Sequence, residues 1–204
     1  MKKTQRMFWN EYYRQHKNIW RKVNYFEENF EGKSVLELGC GNGKSLAGIL
    51  EKKPARLVGL DFSEIALRVA KERFPTGIEL VHGECQELPF KKEEFDYIIA
   101  NHVIGAMKEQ EREKSISEIK RVLKNGGKLI LSDFALGDLR EKGELVEPNT
   151  YQKKNGVIQH FFTKKEVEQL MKGFTHIKVE VKSSYLCLNK QKVLRSEIFA
   201  SAVK

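Results

Sequence analysis

Cysteine is scarce in this chain, and its pattern excludes two ways of stabilising a protein of this size. The three cysteines, at positions 40, 85 and 187, have no metal-ligand spacing, and an odd number cannot all pair. We therefore predict no metal site. We also expect a reducing compartment rather than a disulfide-bonded, secreted protein.

Long apolar runs are also missing. No segment approaches the ~20 apolar residues of a transmembrane helix, and the start, Met-Lys-Lys-Thr-Gln-Arg, lacks the apolar core of a signal peptide. No internal repeat or low-complexity stretch occurs. From these absences we expect a cytoplasmic protein without a membrane partner, and the 204 residues fit one domain.

The most informative motif, residues 34–43, is an apolar strand that runs through three alternate glycines into a helix. It lacks the third glycine of the dinucleotide-binding fingerprint, because the spacing set by Gly39 and Gly41 places Lys44 where that glycine is required. A nicotinamide-dependent oxidoreductase is therefore disfavoured. Glu37 lies two residues before the first glycine. A carboxylate there would repel a pyrophosphate but suits a ligand that carries ammonium and sulfonium charges.

This pattern resembles the cofactor loop of the class I S-adenosylmethionine-dependent methyltransferases, in particular their small single-domain members. The resemblance implies S-adenosylmethionine as the cofactor, with Glu37 facing its ammonium group. It also implies close backbone contact with the cofactor at the loop residues Gly39, Cys40, Gly41 and Gly43.

A second strand, residues 57–61, supports the resemblance because it also ends in an acid. Asp61 matches the family's ribose-binding acid, whose carboxylate accepts hydrogen bonds from both hydroxyls. Phe62 matches the position whose apolar side chain packs on the adenine. Ser63 is placed to cap the helix that follows and is counted among the cofactor-binding residues.

A third strand, residues 78–82, is followed by a segment that resembles the family's adenine-binding loop, Gly83-Glu84-Cys85-Gln86. The resemblance implies that the Glu84 carboxylate accepts a hydrogen bond from the exocyclic amine. The backbone N–H of Cys85 would then face a ring nitrogen of the adenine.

A fourth strand, residues 95–100, leads to Asn101 and His102, at the edge where the methionine moiety and the reactive methyl group would lie. His102 is therefore the candidate general base, and the alternative is a histidine that only shapes the pocket. Asn101 is not followed by the Pro-Pro-Tyr of enzymes that methylate amino groups of nucleic-acid bases. None of the cysteines has the setting of an activated nucleophile, so a covalent mechanism at uracil C5 is disfavoured.

The order of these segments predicts an α/β fold. We expect a Rossmann-like, doubly wound, seven-stranded and mostly parallel sheet, with an antiparallel last strand and the ligand over the carboxyl ends of the strands. Residues 1–33 are predicted to form an N-terminal helical cap, and residues 34–204 the methyltransferase domain. Within that domain, residues 134–160 show no sustained period and are predicted to be an inserted loop or lid.

Residues 4–22 are the predicted helix of the cap. Phe8, Tyr12, His16 and Trp20 recur every four residues and share one helical face. Two interpretations remain open. The helix either packs against the sheet, or forms a lid on which Tyr12 or Tyr13 contacts S-adenosylmethionine or the methyl acceptor.

The net charge of +9 is unevenly distributed. Residues 34–133 hold 16 basic and 16 acidic side chains, whereas residues 1–33 hold 8 and 4, and residues 134–204 hold 13 and 8. Basic flanks favour an anionic acceptor, and the first lysines to neutralise would be Lys153, Lys154, Lys164 and Lys165.

Even so, we predict a small-molecule acceptor in preference to RNA, and no DNA. The alternatives are a tRNA methyltransferase of the wobble-uridine type and a non-catalytic S-adenosylmethionine-binding subunit.

Overall fold

The fold is built around a twisted sheet, seen in a computed structural model that describes residues 4–16, 26–188 and 191–204. Its strands are β1 (Ser34–Leu38), β2 (Arg56–Asp61), β3 (Glu79–His82), β4 (Phe95–Asn101), β5 (Leu123–Phe134), β6 (Glu144–Glu147), β7 (Thr150–Gln152), β8 (Ile158–His160), β9 (Thr175–Leu188) and β10 (Gln191–Val203). The helices are α1 (Gln5–Gln15), α2 (Lys44–Leu50), α3 (Glu64–Arg73), α4 (Glu109–Val122) and α5 (Lys164–Leu170).

Seven of these strands form the main sheet, in the order β3-β2-β1-β4-β5-β10-β9. The first five are mutually parallel, and β10 is antiparallel to both of its neighbours. The predicted seven-stranded, mostly parallel sheet with an antiparallel last strand is therefore confirmed. The strand order reverses between β1 and β4, which places a ligand crevice at their carboxyl ends.

Apolar residues on alternate positions of the strands give the sheet two cores. On one face Leu36 and Leu38 of β1 pack with Ile119 of α4. On the other face Val35 packs with Leu46 and Ile49 of α2. Because the central strands are covered on both faces, β1 and β2 are almost entirely buried, and this explains their continuous apolar sequence.

Local signals fix where the helices begin. The Ser63 hydroxyl accepts a hydrogen bond from the Ala66 N–H at 3.1 Å, so α3 starts directly after β2. Thr163 and Glu166 form a capping box at the start of α5. No helix in the described ranges is long and apolar enough to cross a membrane.

The structure differs from the expectations in two segments. Residues 144–160, within the predicted loop or lid, contain β6, β7 and β8, which form a separate three-stranded sheet. These strands have three or four residues each, too short to give a periodic pattern. The predicted helix of residues 4–22 ends at Gln15, and Trp20 lies outside the described residues.

Candidate active site

The glycine loop after β1 brings backbone directly into the crevice. Gly41 has φ of +54°, a conformation that L side chains rarely adopt. A Cβ added there would collide with the Tyr13 hydroxyl, and one added at Gly39 would lie 2.7 Å from the Val103 side chain. Gly43, at φ +88°, is the N-terminal cap of α2. Only glycine fits at positions 39, 41 and 43 of this loop. Cys40, between the first two glycines, is buried.

Glu37 is a buried carboxylate with an unused oxygen. Its side chain is 2% exposed, and Oε2 has no hydrogen-bond partner among the described residues. Burial raises the pKa of Glu37 to about 8, although hydrogen bonds from Ser45 and the Leu46 backbone favour the ionised form. A buried acceptor without a donor is costly, so this position is suited to a cationic ligand group.

Asp61 ends β2 and faces the same loop. It accepts hydrogen bonds from the backbone N–H groups of Gly41 and Ser63, both at 2.8 Å. Burial raises the pKa of Asp61 to about 6, and these two hydrogen bonds limit the shift. Each carboxylate oxygen retains a lone pair that can accept from a ligand hydroxyl.

A cavity of about 310 Å³ continues from Asp61 along the ends of β2 and β3. It is lined by Phe62, Gly83, Glu84 and Cys85, which are the residues predicted to hold the adenine. The structure brings them together, but Glu84 forms an ion pair with Arg6 of α1. Gln86, the last residue of the predicted loop, was given no contact of its own from the sequence, but its side chain lines the same cavity and its buried oxygen has no hydrogen-bond partner among the described residues.

Helix α1 lies across this region. The Gln5 side chain donates to the Ala106 carbonyl at 2.6 Å, and the Ser63 hydroxyl donates to Asn10 at 2.6 Å. Tyr13 lines both the adenosine cavity and the larger cleft beside it, whereas Tyr12 lines only the larger cleft. Burial, together with the carboxyl of Asp61, raises the pKa of Tyr13 above its usual value. Movement of α1 as a lid stays a prediction.

The larger cleft, of about 1140 Å³, opens beyond the glycine loop. Asn101 and His102 line it at the end of β4, together with side chains of β9 and β10. The Asn101 amide is held by Ser132 at 2.8 Å and by Ser45 at 3.5 Å. The glycine loop adjoins both cavities, since Gly39 lines each of them. We call the larger cleft, where His102 and the side chains of β9 and β10 lie, the acceptor half. We call Glu37, the glycine loop, Asp61 and the adenosine cavity of about 310 Å³ the cofactor half.

His102 lies between two carboxylates of the acceptor half. Its Nδ1 is 4.0 Å from Oδ1 of Asp133, and its Nε2 is 3.7 Å from Oε1 of Glu197. Its ring is tilted over Phe134 at 4.6 Å between centroids. Asp133 is fully buried and its pKa is raised by burial, despite hydrogen bonds from Gly105, Phe134 and Gln159. Sequence analysis found His102 but missed both carboxylates.

The charges of the acceptor half are largely paired. Lys128 contacts Glu28 at 3.0 Å, Lys182 contacts Glu180 at 3.3 Å, and Arg195 contacts Glu197 at 2.8 Å. The cleft is therefore polar rather than strongly basic. Lysines 153, 154, 164 and 165, selected from the sequence as a basic group, do not line it.

Comparison with known proteins identifies the fold family. A family model described as a methyltransferase domain matches residues 35–127. An S-adenosylmethionine-dependent methyltransferase from Methanosarcina mazei has the same fold, with a TM-score of 0.70 and 22% identity over 88% of this chain and 95% of its own.

Curated relatives also match. An uncharacterized protein of Methanocaldococcus jannaschii, MJ1123, is 33% identical over 146 residues, which are 70% of this chain and 65% of that protein. The human tRNA N(3)-cytidine methyltransferase METTL2B is 30% identical over 174 residues, 75% of this chain and 46% of that protein. A demethylmenaquinone methyltransferase of Clavibacter sepedonicus is 34% identical over 106 residues. The chain spans about half to two thirds of these relatives.

One prediction is wrong. The sequence predicts a small-molecule acceptor over RNA, but tRNA N(3)-cytidine methyltransferases from human, mouse and zebrafish match this chain over 166 to 174 residues. The fold and the family match confirm a methyltransferase, with S-adenosylmethionine as the cofactor. Residues 35–127 are a methyltransferase domain, and the fold that contains them is that of the class I S-adenosylmethionine-dependent methyltransferases.

Proposed function

We propose that this protein transfers a methyl group from S-adenosylmethionine to a pyrimidine of tRNA, with N3 of cytidine as the first candidate atom. The single observation that carries the choice of acceptor is the match to a tRNA N(3)-cytidine methyltransferase over 75% of this chain. The acceptor half, at about 1140 Å³, also has room for a nucleotide beside the methionine moiety. A tRNA acceptor is compatible with the predicted cytoplasmic location.

The residues present fit the cofactor. The unused oxygen of Glu37 matches an ammonium group, and Asp61 retains acceptor capacity for ribose hydroxyls. The loop at Gly39, Cys40, Gly41 and Gly43 admits the methionine backbone where a Cβ would collide. Phe62 and the 83–85 loop enclose the adenine, and Asn101 borders the methyl end. When bound, S-adenosylmethionine supplies an electrophilic methyl group on a positively charged sulfur.

Ring nitrogen N3 of cytosine has a lone pair in the neutral base, so its methylation needs alignment in a dry pocket more than it needs a base. The ring becomes positively charged as the new bond forms. Glu197 faces the cleft beside His102, held there by Arg195 at 2.8 Å, and each of its oxygens retains a lone pair that can accept a hydrogen bond from the exocyclic amine. In this proposal His102 orients the cytosine ring. His102 has to accept a proton only when the atom to be methylated carries a proton before the reaction.

The test is to incubate the protein with methyl-labelled S-adenosylmethionine and unmodified tRNA transcripts, digest the RNA, and identify the labelled nucleoside. We expect 3-methylcytidine from the wild type, and no label with Glu37→Gln. Label in a modified uridine would retain tRNA as the acceptor and reject the cytidine atom. Absence of label from every tRNA would reject the proposed function.

A further inference from the structure

Among the side chains with acceptor oxygens that line the adenosine cavity, Glu84 and Gln86 are the two that belong to the loop after β3. Adenine presents one hydrogen-bond donor group on its six-membered ring, the 6-amino group, and that group distinguishes it from other purines. The environments of these two side chains differ sharply, and the difference indicates which of them meets the amine.

Glu84 is engaged elsewhere. Its carboxylate forms an ion pair with Arg6, and the two side chains are 49% and 47% exposed. The same Arg6 guanidinium lies 5.6 Å from the centroid of the Phe62 ring. Glu84 therefore anchors α1 over the cavity from its solvent side, and its oxygens remain hydrated.

Gln86 is in the opposite situation. Its Oε1 atom is buried and has no hydrogen-bond partner among the described residues, although the side chain lines the cavity together with Cys85, Val103 and Met107. A buried amide oxygen without a donor is destabilising, because its hydration is lost without replacement. Folded proteins pair nearly all such groups, so an exception in a ligand cavity points to a ligand donor.

We propose that the side-chain amide of Gln86, and not the carboxylate of Glu84, accepts the hydrogen bond from the 6-amino group of the adenine. The inference rests on S-adenosylmethionine as the cofactor and is independent of the methyl acceptor. Glu84 acts instead through Arg6, by holding α1 in place. A glutamine presents an acceptor to the amine without adding a second buried charge to a cavity that Asp61 already lines.

The experiment compares calorimetric affinities for S-adenosylhomocysteine and for its analogue whose purine lacks the 6-amino group. The wild type is expected to prefer the amino compound by about tenfold. In Gln86→Leu this preference should fall to about twofold or less. In Gln86→Glu, which keeps an acceptor oxygen, the preference should persist.

Glu84→Leu is the matched control. It removes the acceptor oxygens of Glu84 together with the charge paired with Arg6, and it should weaken both ligands by a similar, small factor while leaving the preference intact. The proposal is overturned if Gln86→Leu keeps the wild-type preference, if Glu84→Leu abolishes it, or if the wild type shows none. Gln86→Met, which also lacks an acceptor oxygen, covers the case in which the leucine variant fails to fold, and it should lose the preference in the same way.

Discussion

The cofactor half and the acceptor half of the cleft hold their charges in different ways. In the cofactor half, Glu37 and Asp61 are buried at 2% and 4% exposure, and neither forms an ion pair with a side chain of residues 4–16, 26–188 or 191–204. In the acceptor half, Arg195 lies 2.8 Å from Glu197 and Lys182 lies 3.3 Å from Glu180, in more exposed positions. The first half depends on a ligand to satisfy its buried groups, whereas the second is satisfied without one.

This difference sets the scale of the expected effects. When a buried group whose only hydrogen-bond partner is the ligand is removed, the binding free energy loses the whole of that interaction, because no water takes its place. Removing one exposed charge costs little, because solvent and salt already screen it. Substitutions in the cofactor half should therefore act on S-adenosylmethionine binding strongly, and substitutions in the acceptor half should act on RNA binding weakly and in a salt-dependent way.

Glu37→Gln should give the largest effect. We expect the affinity for S-adenosylmethionine to fall about 100-fold or more, since a buried charge-assisted hydrogen bond is lost. Affinity for tRNA should change less than about twofold. Calorimetry with S-adenosylmethionine and with tRNA measures the two affinities. An equal loss of affinity for both ligands would contradict the assignment of separate cofactor and acceptor halves.

The same variant should stabilise the ligand-free protein. The raised pKa of Glu37 means that the folded wild type must take up a proton between pH 4.5 and about 8, so its stability falls as the pH rises through that window. Glutamine has no charge to bury, so the free energy of unfolding of the variant should exceed that of the wild type by an amount that grows across the window to about 1–3 kcal/mol. Thermal unfolding at several pH values measures it; a variant less stable than the wild type at pH 8 would contradict the raised pKa.

Cofactor affinity should itself depend on pH. Binding an ammonium group requires Glu37 to be ionised, so affinity should rise by up to ~50-fold from pH 6 to pH 8 and then level off. About one proton should be released on binding at pH 7, as measured by calorimetry in buffers of different ionisation enthalpy. Glu37→Gln, measured alongside, should show no comparable release; wild-type binding without proton release would reject the account of Glu37.

Asp61→Asn should have a smaller effect than Glu37→Gln. The amide retains an acceptor for one ribose hydroxyl but loses the charge, so we expect about a tenfold to 50-fold loss of affinity for S-adenosylhomocysteine. Because Asp61 also holds the backbone N–H groups of Gly41 and Ser63, hydrogen exchange of those two amides should increase in the variant. Unchanged calorimetric affinity would remove Asp61 from the cofactor site.

Lys178→Ala should give the smallest effect. Lys178 lines the acceptor half, and no ion pair is found for it among the described residues. Its loss should weaken tRNA binding about threefold and reduce the slope of log affinity against log salt by about 0.7–0.9. Lys172→Ala, at the groove between α4 and α5, is the matched control and should change neither quantity. A larger slope change in the control would place the RNA on another face.

The parts of the site that could be predicted from sequence are those built from contiguous residues. Glu37 and Asp61 lie at the ends of strands, and the glycine loop and His102 directly follow strands, so their positions are set by local order and by the parallel sheet. The strands β1 to β4 were located for the same reason. Their apolar runs and the turns between them are local features of the chain.

The rest of the site depends on contacts between distant residues. Arg6 and Glu84 are 78 residues apart, and nothing local to either indicates that they pair. Glu197 reaches His102 only because β10 inserts next to β5 in the antiparallel direction. The orphaned oxygen of Gln86 is likewise a property of packing. The acceptor half is built mainly of such contacts, which explains why the acceptor was predicted wrongly while the cofactor was predicted correctly.

The most direct test of the central claim is a single-turnover experiment on the assembled cleft. Wild-type protein loaded with methyl-labelled S-adenosylmethionine is mixed with an excess of unmodified tRNA, in the presence of a panel of small amines, thiols and quinols. The account predicts that the label moves into tRNA, at a pyrimidine, in one turnover. Transfer of the label to a small molecule while the tRNA stays unlabelled would contradict it.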